Sequence, residues 1–72
     1  MVNIPKLKGR IVERGFTIEA LAKETKIERT KLYRRLLGDG KDFTIEEASA
    51  ISKALKLNGK DVNEIFFAKI IA

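Results

Sequence analysis

The spacing of one small and two apolar residues constrains the fold of this chain more than any other feature. Ala22, Ile27 and Leu32 follow one another at intervals of five residues. An alanine on the inner face of one helix lets a second helix approach closely, and the two apolar residues fill the corner between the helices. We therefore predict two helices that cross near a right angle, a helix-turn-helix, over residues 17–37.

Residues typical of helix N-termini predict where the other helices of the chain begin. Thr17 is a suitable N-cap for the second helix. Thr44 and Glu47 form a capping box for the fourth, and Asp61 and Glu64 resemble a second box that would begin the fifth. The predicted helices run from about residue 5 to 14, 18 to 24 or 25, 28 to 37, 45 to 56 and 62 to 69. No segment alternates like a strand, so we predict an all-α, compact five-helix fold that forms a single domain over residues 1–72.

The composition limits the kinds of site that the chain can hold. It has no cysteine and no histidine, which excludes disulfides, zinc sites built from those residues and the usual general base. No nucleophile–base pair is evident, so we expect no enzyme activity, no metal and no cofactor. No apolar run approaches the ~20 residues of a membrane span, and residues 1–10 lack the apolar run of a signal peptide. The expected location is the cytoplasm.

The charge distribution points to an acidic partner, most simply nucleic acid. The net charge is +5. The excess lies in residues 1–16, with four basic and one acidic residue, and in residues 28–41, with five basic and two acidic residues. The outer face of the predicted third helix carries polar and basic side chains that could contact DNA: Arg29, Thr30, Lys31, Tyr33 and Arg34. An α-helix fits the major groove of B-DNA, where an arginine can form a bidentate bond to guanine.

Other readings of this helix face remain open. Most charged helix faces are simply solvated, and Tyr33 could be a core aromatic residue instead of a DNA contact. Lys31 could point to the DNA backbone or back toward the second helix. Positions near the start of a reading helix reach bases first, so we rank Arg29, Thr30 and Tyr33 above Arg35.

The segment 17–37 resembles the helix-turn-helix of the lambda-repressor/Cro-like family. The residues that carry the resemblance are Leu21-Ala22, Ile27 and Leu32, and the likeness to small phage Cro-like regulators extends over most of the chain. This resemblance implies a five-helix domain that binds operator DNA, usually as a dimer. Two positions depart from the family pattern: Lys26 stands where glycine is common, and Glu28 where serine or threonine caps the third helix. Either Lys26 adopts a positive φ or the turn is built differently.

Two helix starts are candidate sites for backbone phosphates. Thr17 begins the second helix, whose exposed N–H groups could hold a phosphate, although the negative charge of Glu19 opposes this. Lys41 and Thr44, at the start of the fourth helix, form a second candidate clamp. Lys6, Lys8 and Arg10 in the first helix either touch phosphates or only raise the local potential.

The apolar C-terminus suggests self-association. Phe67, Ile70 and Ile71 have no obvious place in the core of so small a domain, and exposed apolar patches often mark association sites. We expect a homodimer formed partly by the fifth helix; the alternative is that the tail folds back over the first helix. The leading hypothesis is a sequence-specific DNA-binding transcriptional regulator of the phage repressor type. The main rival is a helix-turn-helix fold used as a protein-interaction module, as in an antitoxin or antirepressor.

Overall fold

Five α-helices make up the fold over the residues that the structure, a computed structural model, describes: 2–38 and 43–67. The helices are α1 (Ile4–Glu13), α2 (Ile18–Thr25), α3 (Arg29–Leu37), α4 (Ile45–Ala54) and α5 (Gly59–Phe66). These residues contain no strand. The predicted all-α, five-helix fold is therefore confirmed.

Local hydrogen bonds explain where α1 and α2 begin and end. The Asn3 side chain caps α1 by accepting a hydrogen bond from the Lys6 N–H at 3.1 Å. At the other end, Gly15 has a φ of 77°, and the Phe16 N–H donates to the Ile11 carbonyl at 3.0 Å. This is a Schellman motif, which glycine favours because it has no Cβ to clash in the left-handed region. The first helix was predicted to end at about residue 14, and it ends one residue earlier, at Glu13.

The start of α4 follows the predicted capping box. The Thr44 hydroxyl accepts a hydrogen bond from the Glu47 N–H, and the Glu47 carboxylate accepts one from the Thr44 N–H, each at 3.0 Å. The helix ends at Ala54, two residues before the predicted end. Beyond it Lys56 has a φ of 54°, so this helix also closes through a left-handed residue.

The predicted start of the fifth helix was wrong. Helix α5 begins at Gly59, and its N-cap is Asn58, whose side chain accepts a hydrogen bond from the Asp61 N–H at 2.8 Å. Asp61 is thus the third residue of the helix and not its cap. Its carboxylate is buried against Arg10 of α1 instead. Asparagine and aspartate are both favoured at N-caps, and because the Asp61 carboxylate pairs with Arg10, Asn58 provides the cap.

Each helix contributes one large, fully buried side chain to the core, and Leu55, directly after α4, adds a sixth. These residues are Leu7, Leu21, Leu32, Ile51, Leu55 and Ile65. Helix α2 packs against α3 and α4, while α1 packs against α5. Two polar contacts support this packing. The Asn3 N–H at the start of α1 donates to the Ile65 carbonyl of α5 at 2.7 Å, and the Arg14 side chain at the end of α1 donates to the Leu55 carbonyl after α4 at 2.8 Å. The packing holds α3 by one face and leaves its other face exposed.

Candidate DNA-binding surface

The corner between α2 and α3 is built from the three residues that define the sequence pattern. Ala22, Ile27 and Leu32 are all buried in the common core, together with Leu21. The Thr25 hydroxyl donates to the Leu21 carbonyl at 2.8 Å at the end of α2. The predicted helix-turn-helix is confirmed.

The turn between α2 and α3 has the left-handed backbone conformation that glycine favours, although it contains no glycine. Lys26 adopts a left-handed conformation, with φ 61° and ψ 27°. The Ile27 N–H then returns to the Ala22 carbonyl at 3.1 Å, which closes α2 as a Schellman motif does. Of the two alternatives that the sequence left open, the positive φ is the one adopted. Glu28 stands at the N-cap of α3 but makes no side-chain capping bond.

The exposed face of α3 carries four of the predicted contact residues. Thr30 and Arg34 lie two residues before and after Leu32, which places them nearly opposite the buried face because a helix turns about 100° per residue. Arg29 and Tyr33 lie on the flank that faces α2. All four side chains are exposed, and they form one continuous surface that we call the α3 face.

Tyr33 lies on this surface and not in the core. It is 38% exposed, and its hydroxyl donates a hydrogen bond to the Glu19 carboxylate of α2 at 2.8 Å. This bond, with a smaller contribution from the charge of Arg29, holds the pKa of Glu19 below its usual value, and it raises the pKa of Tyr33. The reading of Tyr33 as a core aromatic was wrong. The contact between Tyr33 and Glu19 was not predicted, since no local sequence pattern links two residues on different helices.

Lys31 lies on the opposite flank of α3, beside the start of α4. It lines a polar depression together with Lys26, Glu46 and Glu47. Thr25, the last residue of α2, also lines this depression, so Lys31 lies between the end of α2 and the start of α4. Its charge contributes to lowering the pKa of Glu47.

Arg35 is held by an ion pair to Glu47 that joins α3 to α4. The two side chains are only 16% and 14% exposed. Burial raises the pKa of Glu47, but hydrogen bonds from Arg35 and from the Thr44 N–H, with the charges of Arg35 and Lys31, outweigh it and lower the pKa. Arg35 therefore links α3 to α4 on the side away from the α3 face. It was ranked below the other candidate contacts in the sequence.

Of the two candidate phosphate sites, the structure describes Thr17 at the first and Thr44 at the second. Thr17 caps α2, its hydroxyl accepting a hydrogen bond from the Ala20 N–H at 3.1 Å, and it lines the same surface depression as Tyr33. Thr44 is exposed at the start of α4, where its hydroxyl is used in the capping box. Lys41 lies outside the described residues.

Comparison with known families identifies this arrangement. Residues 6–67 match the family model of the Cro/C1-type HTH DNA-binding domain. The chain belongs to this family. The chain is thus a DNA-binding domain of the Cro/C1 type, and the resemblance drawn from its sequence is confirmed. Searches of curated proteins and of solved structures found no match.

Two of the basic residues of α1 in this Cro/C1-type domain are engaged by carboxylates. Lys6 pairs with Glu64 of α5. Arg10 donates to Asp61 at 3.1 Å and to Glu13 at 3.0 Å, and its hydrogen bond is the main cause that lowers the pKa of Asp61. Both ion pairs give these cations a role in joining α1 to α5.

Within 2–38 and 43–67, no group of three or more carboxylates could hold a metal ion. In this part of the Cro/C1-type domain no helix is long and apolar enough to cross a membrane.

Proposed function

We propose that this domain is a sequence-specific transcriptional regulator, a repressor of the phage type that binds a palindromic operator as a dimer with α3 in the major groove. The observation that carries the proposal is the α3 face: four exposed polar or basic side chains on a helix that the core holds from behind. An α-helix fits the major groove, where each base pair presents a distinct pattern of donors and acceptors. Repression would follow from occupying a promoter.

The base contacts are assigned to the α3 face. Arg29 and Arg34 carry guanidinium groups that suit the two acceptors of guanine. Thr30 and Tyr33 offer hydroxyl groups that can donate or accept. Thr30 and Arg34 point most directly away from the core, so they are the residues that a groove would meet first.

Backbone contacts are assigned to the residues around this face. Thr17 stands at the start of α2, where helix N–H groups and the helix dipole favour an anion. Lys31 and Thr44 lie on the other flank and are assigned to the neighbouring phosphates, and the sequence assigns Lys41 to them as well. Contacts of this kind position a protein on the duplex without reading its sequence.

The dimer is assigned to the side of the domain that carries α5. Phe67 follows α5 and is 39% exposed. It lines a groove of about 490 Å³ between α4 and α5, together with Phe43, Leu57 and Val62. Ile70 and Ile71, the other two predicted interface residues, lie outside the described residues. A two-fold dimer would set the reading helices about one DNA turn, ~34 Å, apart.

Selection of bound sites from a random DNA library tests the proposal most directly. We expect an inverted repeat whose half-sites are one helical turn apart. Arg29→Ala and Arg34→Ala should each weaken binding to the selected site by about 1–3 kcal/mol and relax one position of it. Lys60→Ala is the matched control, because Lys60 is an exposed cation in α5 away from the α3 face. Recovery of unrelated sequences, or binding that does not weaken as salt is raised, would refute the proposal.

Sedimentation tests the dimer separately from DNA binding. Phe67→Ser should shift the protein toward the monomer and weaken operator binding without changing which bases are selected. If the unsubstituted protein sediments as a monomer both free and on the operator, the dimer is refuted while the reading helix is not.

A further inference from the structure

Glu19 is an acidic residue within a surface that is expected to meet DNA. It lies in the first turn of α2, beside the phosphate position assigned above, and it is exposed at the edge of the α3 face. Its carboxylate accepts the hydrogen bond from Tyr33 at 2.8 Å and lies close enough to Arg29 to feel its charge. A carboxylate in a DNA-binding surface weakens binding, because DNA is a polyanion.

The hydrogen bond gives Glu19 a positioning role. A tyrosine ring on an exposed helix face can turn about two side-chain torsions, and each orientation sends the hydroxyl to a different place. The bond to Glu19 joins α2 to α3 and selects one of these orientations. Hydrogen bonds to an ionised acceptor are roughly twice as strong as neutral ones, so the bond can hold the ring before DNA arrives.

The charge of Glu19 acts against unselective binding. An ionised carboxylate can only accept hydrogen bonds. Phosphates are also acceptors, and in the major groove only the amino groups of adenine and cytosine donate. When the domain contacts only the phosphates of DNA, those phosphates therefore repel the Glu19 carboxylate. The negative charge of Glu19 also lowers the positive potential around Arg29, so Arg29 gains less from an unspecific phosphate.

We propose that Glu19 is a selectivity residue of this domain: it positions Tyr33 for base contact and lowers the affinity for DNA that offers Tyr33 and Arg29 no matching bases. This inference rests on the proposed function, because it assigns a role to Glu19 within the same DNA-binding surface. Glu19 thereby lowers the overall affinity for DNA and increases the discrimination between sites.

The hydrogen bond can be tested without DNA. Tyr33 is the only tyrosine of the chain, which has no tryptophan, so ultraviolet absorbance during an alkaline titration reports the ionisation of this one hydroxyl. Glu19→Gln should lower the pKa of Tyr33 toward the ordinary value, because a neutral amide holds the proton less strongly. Glu24→Gln removes the same charge from the last turn of α2 and should leave that pKa almost unchanged. Equal values in the unsubstituted protein and in Glu19→Gln would overturn the positioning role.

The selectivity role is tested by measuring affinities for the selected operator and for random DNA. Glu19→Gln should strengthen binding to random DNA by about two- to fivefold, the range for one exposed charge interaction, and strengthen operator binding less or weaken it. Tyr33→Phe should leave random binding nearly unchanged and weaken operator binding by about two- to tenfold, as expected for one hydrogen bond. Together the two substitutions should cost less on the operator than the sum of their separate effects.

The outcomes separate this inference from the proposed function. An unchanged ratio of operator to random affinity in Glu19→Gln, with Glu24→Gln as control, overturns the selectivity role even if the domain selects an operator. Failure of the unsubstituted domain to select any sequence overturns the proposed function instead, and with it the selectivity role. The tyrosine titration would then still decide whether Glu19 positions Tyr33. Circular dichroism of each variant confirms that it is folded.

Discussion

Replacing Lys26 by glycine should stabilise this domain, although it removes a side chain. Lys26 occupies the left-handed region with φ 61°, where an L-residue other than glycine is strained by about 1–2 kcal/mol. Glycine avoids that strain but loses about 0.5–1 kcal/mol more backbone entropy on folding. The difference is a gain of roughly 0.5–1 kcal/mol in the free energy of unfolding. For a domain of this size, the melting temperature should rise by about 2–8 °C.

Two further variants separate the backbone effect from the loss of charge. Lys26→Ala removes the same amino group but keeps a Cβ, so it should not stabilise the domain. Lys56→Gly tests the same argument elsewhere, because Lys56 closes α4 with φ 54° away from the α2–α3 turn. It should give a gain of similar size, and the two glycine substitutions should add.

Urea and thermal unfolding followed by far-ultraviolet circular dichroism measure these effects. The reasoning is refuted if Lys26→Gly lowers the stability, or if Lys26→Ala stabilises the domain as much as Lys26→Gly does. The first result would mean that the turn is not left-handed. The second would mean that the gain comes from removing a positive charge and not from the backbone.

Three other results follow from the core and the ion pairs. Leu32→Ala should lower the free energy of unfolding by about 2–5 kcal/mol, a large part of the total for a domain of this size, and urea titration would show it; an unchanged midpoint would contradict the burial of Leu32. Arg35→Gln should cost about 1–3 kcal/mol, because it leaves the poorly exposed Glu47 carboxylate short of a partner; the same titration measures this, and a stability equal to that of the unsubstituted domain would argue against the link between α3 and α4. The folded-state pKa of Asp61 is lowered, chiefly by the hydrogen bond from Arg10. Its contribution is therefore present above the unfolded pKa of about 4 and is lost as the pH falls through the folded value. Asp61→Asn should flatten the acid side of the stability–pH curve, and an unchanged curve would contradict the pair.

Local signals predicted most of the fold because each acts within a few residues. The capping box at Thr44 and the glycine at position 15 operate through hydrogen bonds between neighbours in the chain, so the sequence is sufficient to locate them. The corner formed by Ala22, Ile27 and Leu32 was also predictable, because the spacing of these residues indicates which side chains face inward. The start of α5 was not, because Asn58 and Asp61 are both good caps and the choice between them depends on Arg10 of a distant helix.

The candidate site divides in the same way. The sequence by itself determined the helix-turn-helix, its exposed basic helix and the membership of a DNA-binding family. Only the tertiary structure decided what each side chain on that helix meets. Tyr33 contacts Glu19, Arg35 contacts Glu47, and Lys31 lies beside α4. Helical periodicity tells which way a residue points from its own axis, but the packing of α2, α3 and α4 determines which side chain stands opposite.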